Sequence, residues 1–191
     1  MSTQLFINAH IATGMPGSTA AETAAIQDIL VEDGKFISIA PHLKATLEAQ
    51  GKDMASVEVV DLGGKLVCPP FCDTHLHLDY VFTARKPGAV NESGTLFEGI
   101  QRWSETKADL TVDEIKERAK IGIAKEMRHG VQFIRSHADV TDPNLTSLKA
   151  LLELKEELKD TVTLQIVSFP QEGMYSYEGC LLYTSPSPRD M

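Results

Sequence analysis

The residues best suited to chemistry are His75 and His77, which lie one residue apart in the stretch CDTHLHLDY. In an extended segment alternate side chains share a face, so we expect both imidazoles on one side while Leu76 and Leu78 point into the packing. Two neutral imidazoles on one face can bind a divalent metal ion together. The same spacing also fits two partly buried histidines bonded to the backbone. Asp73 is placed to support a metal site without binding the ion.

The elements before the histidines are expected to be strands. The apolar run KLVCPPF at residues 65–71 contains two prolines and predicts a short strand that ends where the histidines begin. Alternating or β-rich patterns also occur at residues 4–10, 29–39 and 57–64. The middle one contains Asp33-Gly34, a pair typical of two-residue hairpin turns. Residues 1–64 are therefore predicted to form a small β-rich module, part of a β-sandwich.

Strand and helix patterns alternate after the histidines. Thr111 and Glu114 form a T-x-x-E capping box, and apolar residues recur every fourth position up to Gly130, which predicts a helix. A second helix is predicted at 144–160, and strands are predicted at 131–140 and 161–169. This order predicts parallel strands with right-handed crossovers, in either a barrel or an open doubly wound sheet.

Polar residues at the ends of the predicted strands favour the barrel. His137 and Asp139 end one strand and Gln171 follows the next, and in a (β/α)8 barrel such residues meet at the mouth where active sites lie. We therefore expect an α/β fold in which residues 65–179 form the first strands and helices of a (β/α)8 barrel. His137 and Asp139 are expected to form a polar network beneath the site.

Three blocks of sequence together resemble the amidohydrolase superfamily, and within it the bacterial cytosine deaminases. They are VCPPFCDTHLHLDY, SGTLFEGIQRW at 93–103 and LQIVSFPQEG at 164–173. The resemblance runs from about Leu66 to Gly173. Its metal-dependent hydrolase fold is the (β/α)8 barrel expected above.

The resemblance implies roles for five residues. His75 and His77 match the first two ligands of one divalent metal ion, iron or zinc. Gln171 matches the glutamine that hydrogen-bonds the pyrimidine ring, and Phe169 lies beside it in the sequence. Leu96 falls near the apolar wall of the family's pocket.

The implied reaction is hydrolytic deamination, most simply of cytosine to uracil and ammonia in pyrimidine salvage. Metal-activated water attacks the amino-bearing ring carbon while an acid protonates the ring. A related amidohydrolase acting on isoguanine, creatinine or aminated triazine rings is an alternative, and so is a non-catalytic domain with structural histidines. The family's third histidine ligand, proton-shuttle glutamate and metal-binding aspartate are expected beyond Gly179, so we assign no catalytic residue within this chain.

Composition and charge narrow the class of partner. The chain has 191 residues, 42% of them hydrophobic, and a formal net charge of −9 at pH 7. A negative net charge argues against a nucleic-acid partner, and no apolar run is long enough to cross a membrane. We expect a cytoplasmic enzyme whose partner is a small-molecule nucleobase, and whose full-length form can be a homo-oligomer.

The last residues, GCLLYTSPSPRDM, change abruptly to a composition rich in serine and proline. A disordered tail would explain this change. Residues 180–190 also resemble the translation of a sequencing adapter. We expect residues 180–191 to be a non-native tail on the front part of a longer protein.

Overall fold

The computed structural model describes residues 2–11 and 25–180 and divides into two compact units, Met1–Pro69 and Pro70–Met191. Apart from Cys180, the tail predicted to be non-native lies outside the described residues. Within the described ranges, no helix combines the length and the apolar character needed to cross a membrane.

The first unit is built on a mixed sheet, which has five strands in the described part of the chain. The strands are β1 (Thr3–Ile11), β2 (Ile26–Glu32), β3 (Lys35–Ala40), β4 (Val57–Asp61) and β5 (Leu66–Val67). Their order is β3-β2-β1-β4, with β5 also beside β1. Strand β2 pairs antiparallel with both β1 and β3, and β4 and β5 run parallel to β1. Helix α1 (Leu43–Ala49) and a 3₁₀ turn (Met54–Ser56) lie between β3 and β4 in sequence.

The predicted hairpin of this unit is present, and the unit has a small core of its own. Asp33 and Gly34 have φ angles of 48° and 75°, the left-handed pair that a type I′ turn requires. Burial of apolar side chains from the sheet and from α1 forms the core, which contains Leu5, Leu30, Leu43 and Val57.

The second unit contains three parallel strands in the order β6-β7-β8 among its described residues. Helices connect these strands, as the sequence predicts. The elements are β6 (Phe71–Leu76), a 3₁₀ turn (Thr83–Arg85), α2 (Leu96–Lys107), α3 (Val112–Arg128), β7 (Val131–Asp139), α4 (Thr146–Glu157) and β8 (Thr163–Phe169).

The strand predicted at residues 65–71 is wrong. Leu66 and Val67 pair with β1, whereas Phe71 begins a separate strand, β6, which runs on to Leu76 and includes His75. Between them lie Pro69 and Pro70, which have no backbone N–H to donate to a sheet ladder. His75 therefore lies within a strand and His77 directly after it.

Helix α3 has both of the predicted ends. The Thr111 side chain accepts a hydrogen bond from the Glu114 N–H, and the Glu114 side chain accepts one from the Thr111 N–H, which completes the capping box. At the other end Gly130 has a φ of 86°, which lets the chain leave the helix and enter β7.

The core of the second unit lies between the sheet and its helices. Buried residues of α3 and α4 pack with strand residues that face them, because alternate strand side chains point to one side. This cluster includes Ile115, Ile123, Ile134, Leu151 and Leu164. Leu78 is also fully buried in it, and Leu76 packs against it, as expected for the residues that flank His77.

Candidate active site

A bulge at the end of β6 orients the first histidine. Between two paired positions β6 advances three residues, from Asp73 to Leu76, while β7 advances two, from Ile134 to Ser136. The Asp73 carboxylate accepts a hydrogen bond from the backbone N–H of His75 at 2.9 Å, a local contact that supports this irregular turn. In the structure Asp73 thus fixes the backbone of His75, and its role near a metal remains a prediction.

Three imidazole rings lie together at the carboxyl ends of β6 and β7. The ring of His75 stacks on that of His137 with centroids 4.1 Å apart, and the rings of His75 and His77 have centroids 5.2 Å apart at 70°. Nδ1 of His77 lies 3.2 Å from the backbone oxygen of His137. Nδ1 of His137 is buried and has no hydrogen-bond partner in the described part of the chain.

The surroundings keep His77 neutral. Burial lowers the pKa of His77 to about 4, and the neighbouring His75 and His137 add to the effect. Burial also lowers the pKa of His137. A neutral imidazole has the free nitrogen lone pair that a metal ion needs, so the histidine environment is compatible with metal binding near neutral pH.

The geometry of His75 and His77 fits a shared metal ion. Two imidazoles bound to one tetrahedral ion through bonds of about 2.0–2.1 Å have ring centroids about 5 Å apart, and the observed separation is 5.2 Å. When Nδ1 of His77 is protonated, it donates to the His137 carbonyl, a contact typical of metal-ligating histidines. Nε2 then carries the lone pair that could bind an ion. The described residues contain no group of three or more His, Cys, Asp or Glu side chains placed to hold a metal ion.

A cavity of about 580 Å³ brings most of the predicted site residues together. His75 and His77 form one part of its lining, and the other predicted residues on the wall are Leu96, Phe169 and Gln171. Asp73, His137 and Asp139 are not among its lining residues. The histidine pair and Gln171 therefore line one space.

The turn after β8 carries the Gln171 side chain, whose carboxamide has no hydrogen-bond partner among the described residues. Its backbone N–H donates to the carbonyl of Phe169 at 3.0 Å, and the N–H of Gly173 donates to the carbonyl of Pro170 at 2.9 Å, so the turn after β8 is ordered. The carboxamide itself makes no hydrogen bond to the described residues. A carboxamide offers one acceptor and two N–H donors, which suits the edge of a polar heterocycle.

Helix α2 supplies a cavity wall of which only Leu96 was expected from the sequence. Leu96, Ile100 and Trp103 line the cavity from this helix, and Tyr80 lies between Trp103 and His77 with ring centroids 4.8 and 4.6 Å away. The spacing of these α2 residues, four and then three, places them on one helical face and was an available signal. Burial raises the pKa of Tyr80, so its hydroxyl stays protonated.

Asp139 is the centre of a buried polar network. Its carboxylate accepts hydrogen bonds from Nε1 of Trp103 at 2.7 Å, Nζ of Lys107 at 3.1 Å and the backbone N–H of Thr141 at 2.8 Å. The Asp139 N–H in turn donates to Oδ2 of Asp79 at 2.8 Å. Burial raises the pKa of Asp79 to about 7.

Parallel strands joined by helices, with imidazoles grouped at the carboxyl ends of the strands, are the arrangement expected at the mouth of a (β/α)8 enzyme barrel. The chain belongs to the amidohydrolase family, whose family model matches residues 58–188. Members of this family are metal-dependent and act on C–N bonds.

The chain is similar to several proteins that are named as deaminases or amidohydrolases. A crystal structure of 5-methylcytosine deaminase from Klebsiella pneumoniae shares 39% identity and a TM-score of 0.74, over 92% of this chain and 38% of that one. N-isopropylammelide isopropyl amidohydrolase of Pseudomonas sp. (strain ADP) is 30% identical over 81% of this chain and 37% of its own. Pterin deaminase of Rhizobium rhizogenes is 28% identical over 77% of this chain and 32% of its own.

These matches confirm the predicted fold class, the N-terminal part of an amidohydrolase barrel with mixed α and β structure. The chain spans between about a third and two fifths of the length of these relatives. The activity and substrate of the whole protein are therefore matters for proposal.

Proposed function

We propose that the full-length protein containing this chain is a metal-dependent hydrolytic deaminase that converts cytosine and water to uracil and ammonia. The observation that carries this proposal is that His75 and His77 share one cavity with the unengaged Gln171 carboxamide. Similarity to 5-methylcytosine deaminase, at 39% identity over 92% of this chain, supports a pyrimidine substrate.

The proposed ion would be held by His75 and His77, as either iron or zinc. When bound, a divalent ion supplies an activated water for hydrolysis. The chain's own contribution is to keep His77 neutral and oriented through the His137 carbonyl, as the 3.2 Å contact indicates. We assign no catalytic acid or base among the described residues.

The remaining cavity residues are proposed to bind the ring. Gln171 donates to and accepts from the amide-like edge of cytosine, which presents a carbonyl and ring nitrogens. Phe169, Tyr80, Trp103 and Leu96 supply the apolar surface that removes a flat heterocycle from water. In this proposal the histidine pair holds the ion, and Gln171 with the aromatic and apolar wall recognises the substrate.

A related amidohydrolase activity on an aminated triazine is the second candidate. The 30% identity to N-isopropylammelide isopropyl amidohydrolase over 81% of this chain favours it. A triazine also presents ring nitrogens beside an amide-like edge, which a carboxamide at position 171 can recognise.

The deciding experiment is a substrate panel on the full-length protein with iron or zinc restored. Ammonia release is measured with cytosine, 5-methylcytosine and isoguanine, and amine release with N-isopropylammelide. We expect the highest kcat/KM for cytosine. Turnover of another compound with cytosine inert would overturn the substrate assignment, and no turnover of any compound would favour a non-catalytic domain with structural histidines.

A further inference from the structure

We propose that Lys107 is a positioning residue that sets the Gln171 carboxamide against the cavity by holding its neighbour, Glu172. This inference rests on the proposed role of Gln171 in binding the ring. It gives a role to the largely buried ammonium group of Lys107, which takes no part in the proposed reaction chemistry.

Lys107 is the last residue of α2, and its side chain is only 12% exposed. Its ammonium group contacts three oxygens: Oδ2 of Asp139 at 3.1 Å, Oγ1 of Thr141 at 2.7 Å and Oε1 of Glu172 at 2.6 Å. The ammonium donates hydrogen bonds to Asp139 and Thr141, and Glu172 is its ion-pair partner. These contacts from three residues restrict the position of the ammonium group.

The three oxygens belong to neighbouring strand ends. Asp139 and Thr141 lie at the end of β7, where Asp139 is 1% exposed and also bonded to Trp103. Glu172 belongs to the turn after β8 and directly follows Gln171. The lysine therefore links the turn after β8 to a buried acid and to the helix that forms the cavity wall.

Lys107 does not act by touching the substrate. It is absent from the residues that line the cavity, whereas Gln171 is among them. Its ammonium instead contacts the oxygens of Asp139, Thr141 and Glu172. The consequence is that loss of the ion pair is expected to misplace the carboxamide without removing any group that contacts the ring.

The test is a double-mutant cycle in the full-length protein. Lys107→Met keeps the length of the side chain and removes its charge, and we expect it to raise the KM for cytosine roughly tenfold while kcat changes less than about threefold. In a Gln171→Ala background the same substitution is expected to change KM less than about twofold, because the group it positions is gone. Equal effects in both backgrounds would overturn the proposal.

Lys116 provides a matched control. It is 14% exposed and paired with Glu153 and Glu157 where α3 meets α4, away from the cavity. Lys116→Met removes a similarly buried and doubly paired lysine, and we expect KM for cytosine to stay at the wild-type value. Glu172→Gln is the second variant, chosen to test the same contact from its more exposed partner if Lys107→Met does not fold.

Hydrogen exchange separates this proposal from the proposed function. In Lys107→Met and Glu172→Gln, amide exchange at residues 171–173 is expected to rise at least severalfold, with no rise in Lys116→Met. Unchanged exchange overturns the positioning role whatever the activity. An inactive wild-type protein would instead overturn the deaminase assignment, and exchange would still decide whether Lys107 holds the turn.

Discussion

Asp139 is the residue on which the polar contacts behind the cavity converge. Its neighbours in space, Trp103 and Asp79, are 36 and 60 residues away in the sequence. The sequence could place Asp139 at a strand end because strand patterns are local, but it could not identify these partners. Their contact depends on how α2 packs over β7, which no local pattern encodes.

Replacing Trp103 tests the hydrogen bond at this buried acid. Trp103→Phe keeps an aromatic ring but removes the Nε1–H that donates to Asp139 at 2.7 Å. We expect the free energy of unfolding to fall by about 1–3 kcal/mol because a buried carboxylate loses a donor. Urea unfolding measures the change.

Tyr80→Phe is the control in the same aromatic wall. The Tyr80 hydroxyl makes no hydrogen bond to the described residues, so its removal is expected to change the free energy of unfolding by less than about 0.5 kcal/mol. Equal destabilisation by both substitutions would show that ring packing matters here and that the Trp103–Asp139 hydrogen bond does not.

Helix α3 could be predicted with both ends, whereas β6 could not. Thr111 and Glu114 form a local capping box and Gly130 ends the helix, so adjacent residues carry all the information. The bulge in β6 depends on pairing with β7 as well as on the Asp73 side chain, and pairing is not a local property. Helix α2 was not predicted, although the spacing of Leu96, Ile100 and Trp103 carries a helical period.

Two glycines in or next to α3 are expected to respond in opposite ways to alanine. At Gly122 a Cβ would meet Cδ2 of Leu78 at 3.4 Å and Cγ2 of Val81 at 3.6 Å, which are ordinary contacts. Gly122→Ala should therefore raise the free energy of unfolding by about 0.5–1 kcal/mol, because alanine loses less backbone entropy in a helix.

At Gly130 the backbone is left-handed, with a φ of 86°, and a Cβ would lie 3.4 Å from Cδ2 of Phe71. Gly130→Ala should lower the free energy of unfolding by about 1–2 kcal/mol. Thermal unfolding of the two variants measures the contrast. A fall in Tm for Gly122→Ala larger than that for Gly130→Ala would contradict the packing described at both positions.

For the whole molecule, the alternation of strand and helix predicted parallel strands, and the polar residues at the strand ends together with the motif resemblance favoured the barrel over an open sheet. The histidine pair and Gln171 could be proposed from sequence because motifs carry them, and the structure brings them to one cavity. The shape of that cavity could not be predicted, since Tyr80, Ile100 and Trp103 reach it through tertiary packing. Substrate choice depends on this shape, so it requires the assay described above.

Anomalous diffraction from crystals of the full-length protein, grown with iron or zinc and measured at the metal absorption edge, tests the metal site directly. We expect a peak within about 2.0–2.2 Å of one ring nitrogen of His75 and one of His77, in the cavity that Gln171 lines. A fully loaded protein whose metal lies elsewhere, with no peak between these two rings, would contradict the central claim.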